Sequence, residues 1–118
     1  MKKKSSKVYG LGVIGMGRAF TIMLPTFIKD PRIKLMAGID KRSEARIQFQ
    51  NDFNGIVSDS MDSILDNPQI EIIYLATPAE LHISQIRKIV SANKHILLEK
   101  PMSLTIKDAL AITKLISS

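Results

Sequence analysis

Gly15, Met16 and Gly17 form the part of this sequence whose residue types and spacing could bind a phosphate group. An apolar run, residues 8–14, leads into them, and an amphipathic helical pattern follows. This order predicts free backbone N–H groups at the positive end of a helix, above a buried strand, where the pyrophosphate of a dinucleotide can bind. Phe20 occupies the third glycine position of the G-x-G-x-x-G pattern, so the motif alone also fits a strand-to-helix turn that binds nothing.

A second candidate is the carboxylate of Asp40, which follows Gly17 by 23 residues at the end of the second apolar run. A carboxylate there can accept hydrogen bonds from both hydroxyl groups of a ribose and repel a 2′-phosphate, which favours NAD. Lys41 and Arg42 come next, and a cation there could instead hold the 2′-phosphate of NADP. We therefore predict NAD as the cofactor, with NADP as the alternative. We expect Asp40 to lie on a loop end outside the core, and a solvated turn aspartate is the other interpretation.

Further candidates stand where the fourth apolar run ends. Ala76 and Thr77 are followed by Pro78, which stops the strand and leaves backbone groups free to contact a ligand. His82 comes at the start of the next helical pattern. A histidine in that place either contacts a cofactor or is satisfied by local backbone.

The tripeptide of residues 99–101 places an acid, an amine and a proline at the end of the last predicted strand. Lys100 could donate a hydrogen bond to a substrate oxygen or orient the edge of a nicotinamide ring. An exposed ion pair between Glu99 and Lys100 is the alternative. The chain must turn sharply before the helix that Thr105 caps, so the bond before Pro101 is a candidate for the cis form.

The hydrophobic periodicity predicts alternating strands and helices around these candidates. The predicted strands are residues 8–14, 33–39, 56–57, 70–76 and 95–98, and the predicted helices are residues 18–28, 44–53, 61–65, 80–92 and 106 onward. Short connections and helical crossovers require a parallel sheet with helices on both faces. The predicted fold class is α/β, a doubly wound parallel sheet of the Rossmann dinucleotide-binding type, in a single domain. Local signals predict N-caps at Ser43, Ser60 and Thr105, positive φ at Asn93 and a disturbance of the first helix at Pro25.

Composition excludes several other classes of function. The 118 residues contain no cysteine, which removes disulfides, thiolate catalysis and cysteine zinc sites and fits the cytoplasm. No metal site is predicted, and no apolar run is long enough to cross a membrane. Four of the 17 basic residues lie in residues 1–7, which we assign to a disordered tail before the domain of residues 8–118. The remaining positive charge is interleaved with acids and lacks aromatic neighbours, so we predict no nucleic-acid partner.

Four segments occur in the order seen in one known family: GMGRAF, IDKRSEA, ATPAELH and NKHILLEKPMSLT. The chain resembles the Gfo/Idh/MocA oxidoreductases over residues 7–118, and GMGRAFTIMLPTF is similar to the branch of phthalate dihydrodiol dehydrogenases. The resemblance implies an NAD(P)-binding domain of an enzyme that transfers hydride to or from a polyol, sugar or dihydrodiol.

The resemblance also implies roles for individual residues. The pyrophosphate would be held by Gly15, Met16, Gly17, Arg18 and Ala19, and the adenosine ribose by Asp40 with Lys41 or Arg42. The nicotinamide-side ribose would be lined by Ala76, Thr77, Pro78 and His82. Glu99 and Lys100 would flank the nicotinamide, and Lys100 would also reach the substrate as a catalytic residue.

Members of that family carry a second domain with a catalytic histidine in an Asp-x-x-x-His pattern. The only histidines here, His82 and His95, lie outside such a pattern. We therefore expect this chain alone to bind dinucleotide, to show no turnover and to self-associate through an uncovered apolar patch. A non-enzymatic dinucleotide-binding regulatory module is the alternative. An adenosine-cofactor methyltransferase would share the glycine turn but gives no reason for residues 99–101.

Overall fold

Five parallel strands in the order β3-β2-β1-β4-β5 form the centre of the computed structural model, which describes residues 7–117. The strands are β1 (Tyr9–Ile14), β2 (Ile33–Ile39), β3 (Ile56–Ser58), β4 (Ile72–Leu75) and β5 (His95–Leu98). The helices are α1 (Arg18–Lys29), α2 (Ser43–Phe53), α3 (Asp62–Leu65), α4 (His82–Ser91) and α5 (Ile106–Ser117), and a 3-10 turn, Ala79–Leu81, precedes α4. The chain moves outward from β1 through β2 to β3 and then returns to the other side of β1, which confirms the predicted doubly wound sheet.

Two apolar clusters cover the two faces of this sheet. Aromatic side chains of α1 and α2, Phe27 and Phe49 among them, pack on one face. Isoleucines of α4 and α5, including Ile86 and Ile112, pack on the other. Side chains alternate between the faces of a strand, so Tyr74 faces the aromatic cluster, whereas Ile73 faces the isoleucine cluster. Burial of each such side chain contributes about 1.5–3 kcal/mol, and the helices thereby fix the strand ends.

Phe20, which replaces the third glycine, belongs to the aromatic cluster. Its ring centroid lies 6.2 Å from that of Phe49 in α2. The side chain therefore fills the space between α1 and α2, and this packing explains how the fold accommodates the departure from the glycine pattern.

Two of the five predicted local signals are confirmed. The Thr105 hydroxyl accepts the N–H of Asp108 at 3.1 Å, and Asn93 follows α4 with φ at 59°. The prediction of a Ser43 cap is wrong, because Ser43 is already helical and Arg42 occupies the N-cap without a side-chain bond. The Arg42 N–H instead donates to the Asp40 carboxylate at 2.9 Å.

Some predicted boundaries differ by one or two residues. Helix α1 contains Pro25 and continues to Lys29. Met61 occupies the N-cap of α3 in place of the predicted Ser60, although the Ser60 hydroxyl accepts the N–H of Asp62 at 3.3 Å. Strand β4 is shorter than predicted because the Ile70 N–H donates to the Asn67 carbonyl oxygen, 3.1 Å away, within the preceding turn.

The predicted tail lies almost wholly outside the described residues, since only Lys7 belongs to both. Its ammonium pairs with the Glu71 carboxylate at 2.7 Å. Among residues 7–117, no helix combines the length and apolar character needed to cross a membrane.

Candidate dinucleotide-binding site

A cleft of about 630 Å³ opens at the carboxyl ends of β1, β2 and β4. Ile14, Ile39 and Ala76 line its base, at the place where the strand order reverses. Ligands of open α/β sheets bind at such switch points because the loops on either side diverge there.

Gly15 is the residue that this cleft requires most strictly. It has a φ of 93°, and a Cβ atom built on it would lie 2.8 Å from the carbonyl carbon of Ala76. Any larger residue would be strained and would push against the backbone that follows β4. A Cβ on Gly17 would meet nothing within 4 Å, so Gly17 leaves open space at the start of α1.

Backbone N–H groups divide the predicted pyrophosphate residues into two sets. The Gly15 N–H donates to the Ile39 carbonyl oxygen at 2.9 Å, and the Met16 N–H donates to Oδ2 of Asp40 at 2.9 Å. Both groups therefore hold the turn against β2, and the Met16 side chain is buried in the aromatic cluster.

The second set consists of the N–H groups at the beginning of α1. In the described chain, the first N–H bonded within α1 is that of Thr21, which donates to Gly17 O at 3.1 Å. The N–H groups of Gly17, Arg18 and Ala19 therefore remain available to an anion, at the positive end of the helix.

Asp40 lies where predicted, in the loop that follows β2 and outside both core clusters, but it is not a solvated turn aspartate. Its side chain is only 12% exposed. Oδ1 accepts the N–H and Nε–H of Arg42 at 2.9 and 3.1 Å, and Oδ2 accepts the Met16 N–H and Nη2 of Arg42 at 2.9 and 3.2 Å. The carboxylate therefore joins β2 to the glycine turn as well as facing the cleft.

These contacts also set the charge of Asp40. Burial raises the pKa of the carboxyl, but hydrogen bonds from the Arg42 guanidinium and from the N–H groups of Arg42 and Met16 outweigh burial and lower the pKa below its usual value. An ionised carboxylate is thus held at the cleft, where it can accept hydrogen bonds from ribose hydroxyls.

Arg46 supports the same loop and was not predicted from the sequence. Its Nη1 donates to the carbonyl oxygens of Asp40 and Lys41, each at 2.9 Å. Lys41 and Arg42 themselves line the cleft with exposed side chains. Two exposed cations therefore border the cleft beside the Asp40 carboxylate.

The opposite wall contains the residues that follow β4. Thr77 and Pro78 line the cleft as predicted, and the Thr77 hydroxyl donates to the side-chain oxygen of Gln85 at 2.5 Å. Other lining residues that sequence reasoning missed are Asp59, Ser60, Met61, Asp62, Leu81, Gln85 and Lys88. Three of these residues belong to α3 and α4, three lie between β3 and α3, and Leu81 lies in the 3-10 turn. They reach the cleft through packing between distant elements, so no local motif marked them.

His82 lies behind this wall. Its side chain is 1% exposed, with Nε2 at 2.8 Å from the Thr77 carbonyl oxygen and Nδ1 at 2.9 Å from that of Met102. The ring thus connects two loops at the edge of the site. Its bonds to backbone carbonyl oxygens match the second interpretation of His82, that of a histidine satisfied by backbone.

Glu99 and Lys100 follow β5, one strand beyond β4 in the sheet. The Tyr74 hydroxyl donates to Oε2 of Glu99 at 2.6 Å, and the Lys100 N–H donates to Oε1 at 3.3 Å. The Lys100 side chain is exposed, and the Lys100–Pro101 bond is cis. Neither residue lines the cleft itself.

Fold and site together define a Rossmann domain that binds a nicotinamide dinucleotide. The family described as an oxidoreductase family with an NAD-binding Rossmann fold matches residues 9–118. The chain belongs to this family, Gfo/Idh/MocA, as its motifs indicate.

Individual relatives agree with the family assignment. The chain is 39% identical over 99 residues to 1-carboxy-3-chloro-3,4-dihydroxycyclohexa-1,5-diene dehydrogenase of Comamonas testosteroni, which covers 83% of this chain and 25% of that protein. The crystal structure of KijD10, a 3-ketoreductase from Actinomadura kijaniata in complex with NADP and TDP-benzene, is 25% identical with a TM-score of 0.84 and covers 94% of this chain and 34% of that one.

A third comparison concerns the fold alone. The WlbA dehydrogenase of Chromobacterium violaceum, crystallised with NADH and UDP-GlcNAcA, is 22% identical with a TM-score of 0.87 and covers 99% of this chain and 34% of that chain. Biliverdin reductase A of Homo sapiens is 25% identical over 114 residues, which are 92% of this chain and 36% of that protein. The chain therefore spans only a quarter to about a third of the length of the proteins that it matches.

Proposed function

We propose that this chain is the cofactor-binding part of an NAD(P)-dependent oxidoreductase that acts on a dihydrodiol, polyol or sugar. The observation that carries the proposal is the cleft in which the free N–H groups at the start of α1 stand beside the ionised carboxylate of Asp40. The N–H groups suit a pyrophosphate, and the carboxylate suits the hydroxyl groups of a ribose. The cramped position of Gly15 against Ala76 supports a turn shaped for close backbone approach.

The sheet geometry gives the direction in which the ligand would lie. A dinucleotide whose adenosine ribose is bound at Asp40 would place its pyrophosphate at Gly17, above β1, and continue towards β4. From β2 to β5 is three strand spacings, about 14 Å, so the nicotinamide end would lie towards Thr77 and Lys100.

Nicotinamide dinucleotides supply hydride-transfer chemistry when bound, and the protein supplies orientation and charge. In this proposal Asp40 accepts the ribose hydroxyls, Gly17, Arg18 and Ala19 donate N–H groups to the pyrophosphate, and Thr77 and Pro78 exclude water on the opposite wall. Lys100 is the proposed catalytic residue of this chain. Its exposed ammonium would donate a hydrogen bond to a substrate oxygen and stabilise negative charge there.

The name of the Comamonas testosteroni relative describes a dihydroxycyclohexadiene substrate, so a cyclic dihydrodiol is our first candidate. No histidine side chain lines the cleft within residues 7–117, and the matched relatives are about three to four times longer. We therefore propose that a further segment, equivalent to the rest of these relatives, supplies the acid–base group and the substrate pocket.

Calorimetric titration with NADH, followed by assays of cofactor-dependent turnover on dihydrodiols, polyols and sugars, tests the proposal. We expect the chain alone to bind NADH and to turn over none of these substrates. Absence of NADH binding would refute the cofactor role, and turnover by the chain alone would refute the missing acid–base group. Binding without turnover by the complete native protein would favour the regulatory module instead.

Exposed apolar side chains on and beside α5 bear on the partners of the chain. Ile106 is 80% exposed, and three other large apolar side chains in or next to this helix are also exposed: Leu104, Leu110 and Ile116. Clustered apolar surface favours association, so we propose that the isolated chain self-associates. Light scattering at several concentrations tests this, and a monomer at all of them would contradict it. We also propose a cytoplasmic location, because the sequence contains no cysteine and so forms no disulfide that would require an oxidising compartment. Fractionation of the native protein tests this.

A further inference from the structure

The segment that carries Glu99 and Lys100 is bonded to the protein interior by a tyrosine. Tyr74 is the third residue of β4, and its partner across the parallel ladder is Leu97 of β5. Glu99 follows Leu97 by two residues, so its side chain emerges on the same face of the sheet as that of Tyr74. The phenol therefore reaches diagonally to the next strand, where its hydroxyl donates to Oε2 of Glu99 at 2.6 Å.

Tyr74 has little freedom to move. Its side chain is 1% exposed, and its ring meets that of Phe27 edge to face, with centroids 5.1 Å apart. Burial, followed by the hydrogen bond to the Glu99 carboxylate and the charge of that group, raises the pKa of the phenol well above its usual value. The hydroxyl thus remains a donor at neutral pH, and its short bond to a carboxylate is of the strong, charge-assisted kind.

The Glu99 carboxylate also binds the backbone of Lys100, the next residue. Its other oxygen, Oε1, accepts the backbone N–H of Lys100 at 3.3 Å. Tyr74 therefore fixes the rotamer of Glu99, and Glu99 in turn orients the peptide unit from which the Lys100 side chain leaves.

A second buried ring holds the far side of the same segment. Nδ1 of His82 lies at 2.9 Å from the carbonyl oxygen of Met102, and Nε2 lies at 2.8 Å from that of Thr77. Residues 99–102 are thus connected to the interior at both ends, and the His82 ring relates them directly to the cleft wall at Thr77.

We propose that Tyr74 is a positioning residue for the nicotinamide end of the site, which acts through Glu99 to hold Lys100 beside the cofactor. The inference rests on the proposed function, because it requires a nicotinamide dinucleotide that extends from Asp40 towards β5. A purely structural tyrosine would affect all ligands of the cleft alike. A positioning tyrosine affects only the part of the affinity that the nicotinamide contributes.

Two ligands separate these roles. ADP-ribose contains the adenosine and pyrophosphate that would bind at Asp40 and Gly17 but lacks the nicotinamide, whereas NADH contains all three. We would measure the dissociation constants of both for the wild type, Tyr74→Phe, Glu99→Gln and the double variant, together with the fluorescence of bound NADH. Tyr9→Phe is the matched control, because Tyr9 is the only other tyrosine and lies outside the cleft lining.

Tyr74→Phe removes one oxygen atom and retains the ring that packs on Phe27. We expect NADH affinity to fall about tenfold, with an altered emission of bound NADH, while ADP-ribose affinity changes less than about twofold. Glu99→Gln should give a similar loss, and the double variant should lose little more, because both changes break one chain of contacts. Tyr9→Phe should behave as the wild type.

Several outcomes would overturn the proposal. Equal losses for NADH and ADP-ribose would assign Tyr74 a structural role only, and unchanged NADH affinity in Tyr74→Phe would remove the role altogether. If Tyr74→Phe does not fold, Glu99→Gln decides alone, since it leaves the tyrosine packing intact and the same equal or absent losses would refute the inference. Failure of the wild type to bind either ligand would refute the proposed function itself and this inference with it.

Discussion

Replacement of Asp40 by alanine should affect both stability and cofactor affinity, because one carboxylate serves the turn and the cleft. In the folded protein the Met16 N–H donates to Oδ2 of Asp40 at 2.9 Å, and Met16 is buried. Asp40→Ala leaves this donor without its acceptor, at a cost of about 1–3 kcal/mol. For a domain of this size, that cost lowers the melting temperature by roughly 3–15 °C.

The affinity effect follows from the same atoms. Loss of charge-assisted bonds to ribose hydroxyls costs about 1.5–3 kcal/mol, so NADH affinity should fall roughly 10- to 150-fold. Asp40→Asn retains one side-chain oxygen for the Met16 N–H, and we expect it to keep more of the stability than of the affinity.

Asp30 provides a matched control within the chain. It forms the same local arrangement with the arginine two residues later: Oδ1 accepts the N–H and Nε–H of Arg32 at 2.9 and 3.0 Å, and Oδ2 accepts Nη2 at 2.8 Å. Asp30 lies before β2, at the end of the sheet away from the cleft, and holds no bond to the glycine turn. Asp30→Ala should therefore leave NADH affinity unchanged and alter the melting temperature less than Asp40→Ala does.

Thermal denaturation followed by circular dichroism and calorimetric titration with NADH measure both effects. If Asp40→Ala and Asp30→Ala lose equal stability, the bond to Met16 contributes nothing and the reasoning on the turn is refuted. Wild-type NADH affinity in Asp40→Ala would likewise refute the assignment of the carboxylate to the ribose.

Three other measurements test separate parts of the structure. Gly15→Ala should destabilise the fold and abolish NADH binding, because its Cβ would lie 2.8 Å from backbone atoms of Ala76. Gly17→Ala should keep the wild-type melting temperature, because a Cβ at Gly17 meets nothing within 4 Å, and equal stability of the two variants would contradict this. NADH should bind more tightly than NADPH, because the Asp40 carboxylate repels a 2′-phosphate, and tighter NADPH binding in titrations would refute the predicted preference. In Tyr9→Phe, Tyr74 is the only phenol, and tyrosinate absorbance should appear only with unfolding, above about pH 10. The pKa of Tyr74 is raised in the folded state, so this residue stabilises the fold fully at pH values below the pKa of the unfolded chain. That contribution is lost as pH rises towards the folded pKa. Tyrosinate formation near pH 10 in the still-folded protein would refute the Tyr74 contact.

Local patterns were sufficient to predict the architecture. The strands at Ile33–Ile39 and His95–Leu98 match their predicted bounds, since continuous β-branched and aliphatic runs reflect burial on both faces of a parallel sheet. The alternation of these runs with amphipathic helices then leaves few topologies for a right-handed crossover. The cap at Ser43 was wrongly predicted because Arg42 is held at the helix start by a local bond to Asp40 and by a bond to the Met16 carbonyl oxygen, 26 residues away.

Contacts at the site depend on strand register, which no local pattern reveals. The bond from Met16 to Asp40 spans 24 residues, that from Tyr74 to Glu99 spans 25, and that between His82 and Met102 spans 20. Sequence reasoning identified Asp40, Glu99 and Lys100 as chemically suitable. It could not show that the two acids are already bonded within the protein before any ligand arrives.

The bonded state of Asp40 has a consequence for cofactor choice. A carboxylate offers about four acceptor positions, and in the described structure Met16 occupies one while Arg42 occupies three. The Arg42 guanidinium also donates to the Met16 carbonyl oxygen at 3.0 Å, but 53% of its side chain is accessible, whereas the backbone donors of Met16 and Arg42 are fixed by the turn. A ribose can therefore gain access to Asp40 by displacing the guanidinium alone. The displaced guanidinium would remain beside the 2′ position of that ribose. Its positive charge would then partly offset the repulsion between the Asp40 carboxylate and the 2′-phosphate of NADP. The relative affinity for NAD and NADP thus depends on the position that the Arg42 side chain adopts, as well as on the Asp40 carboxylate.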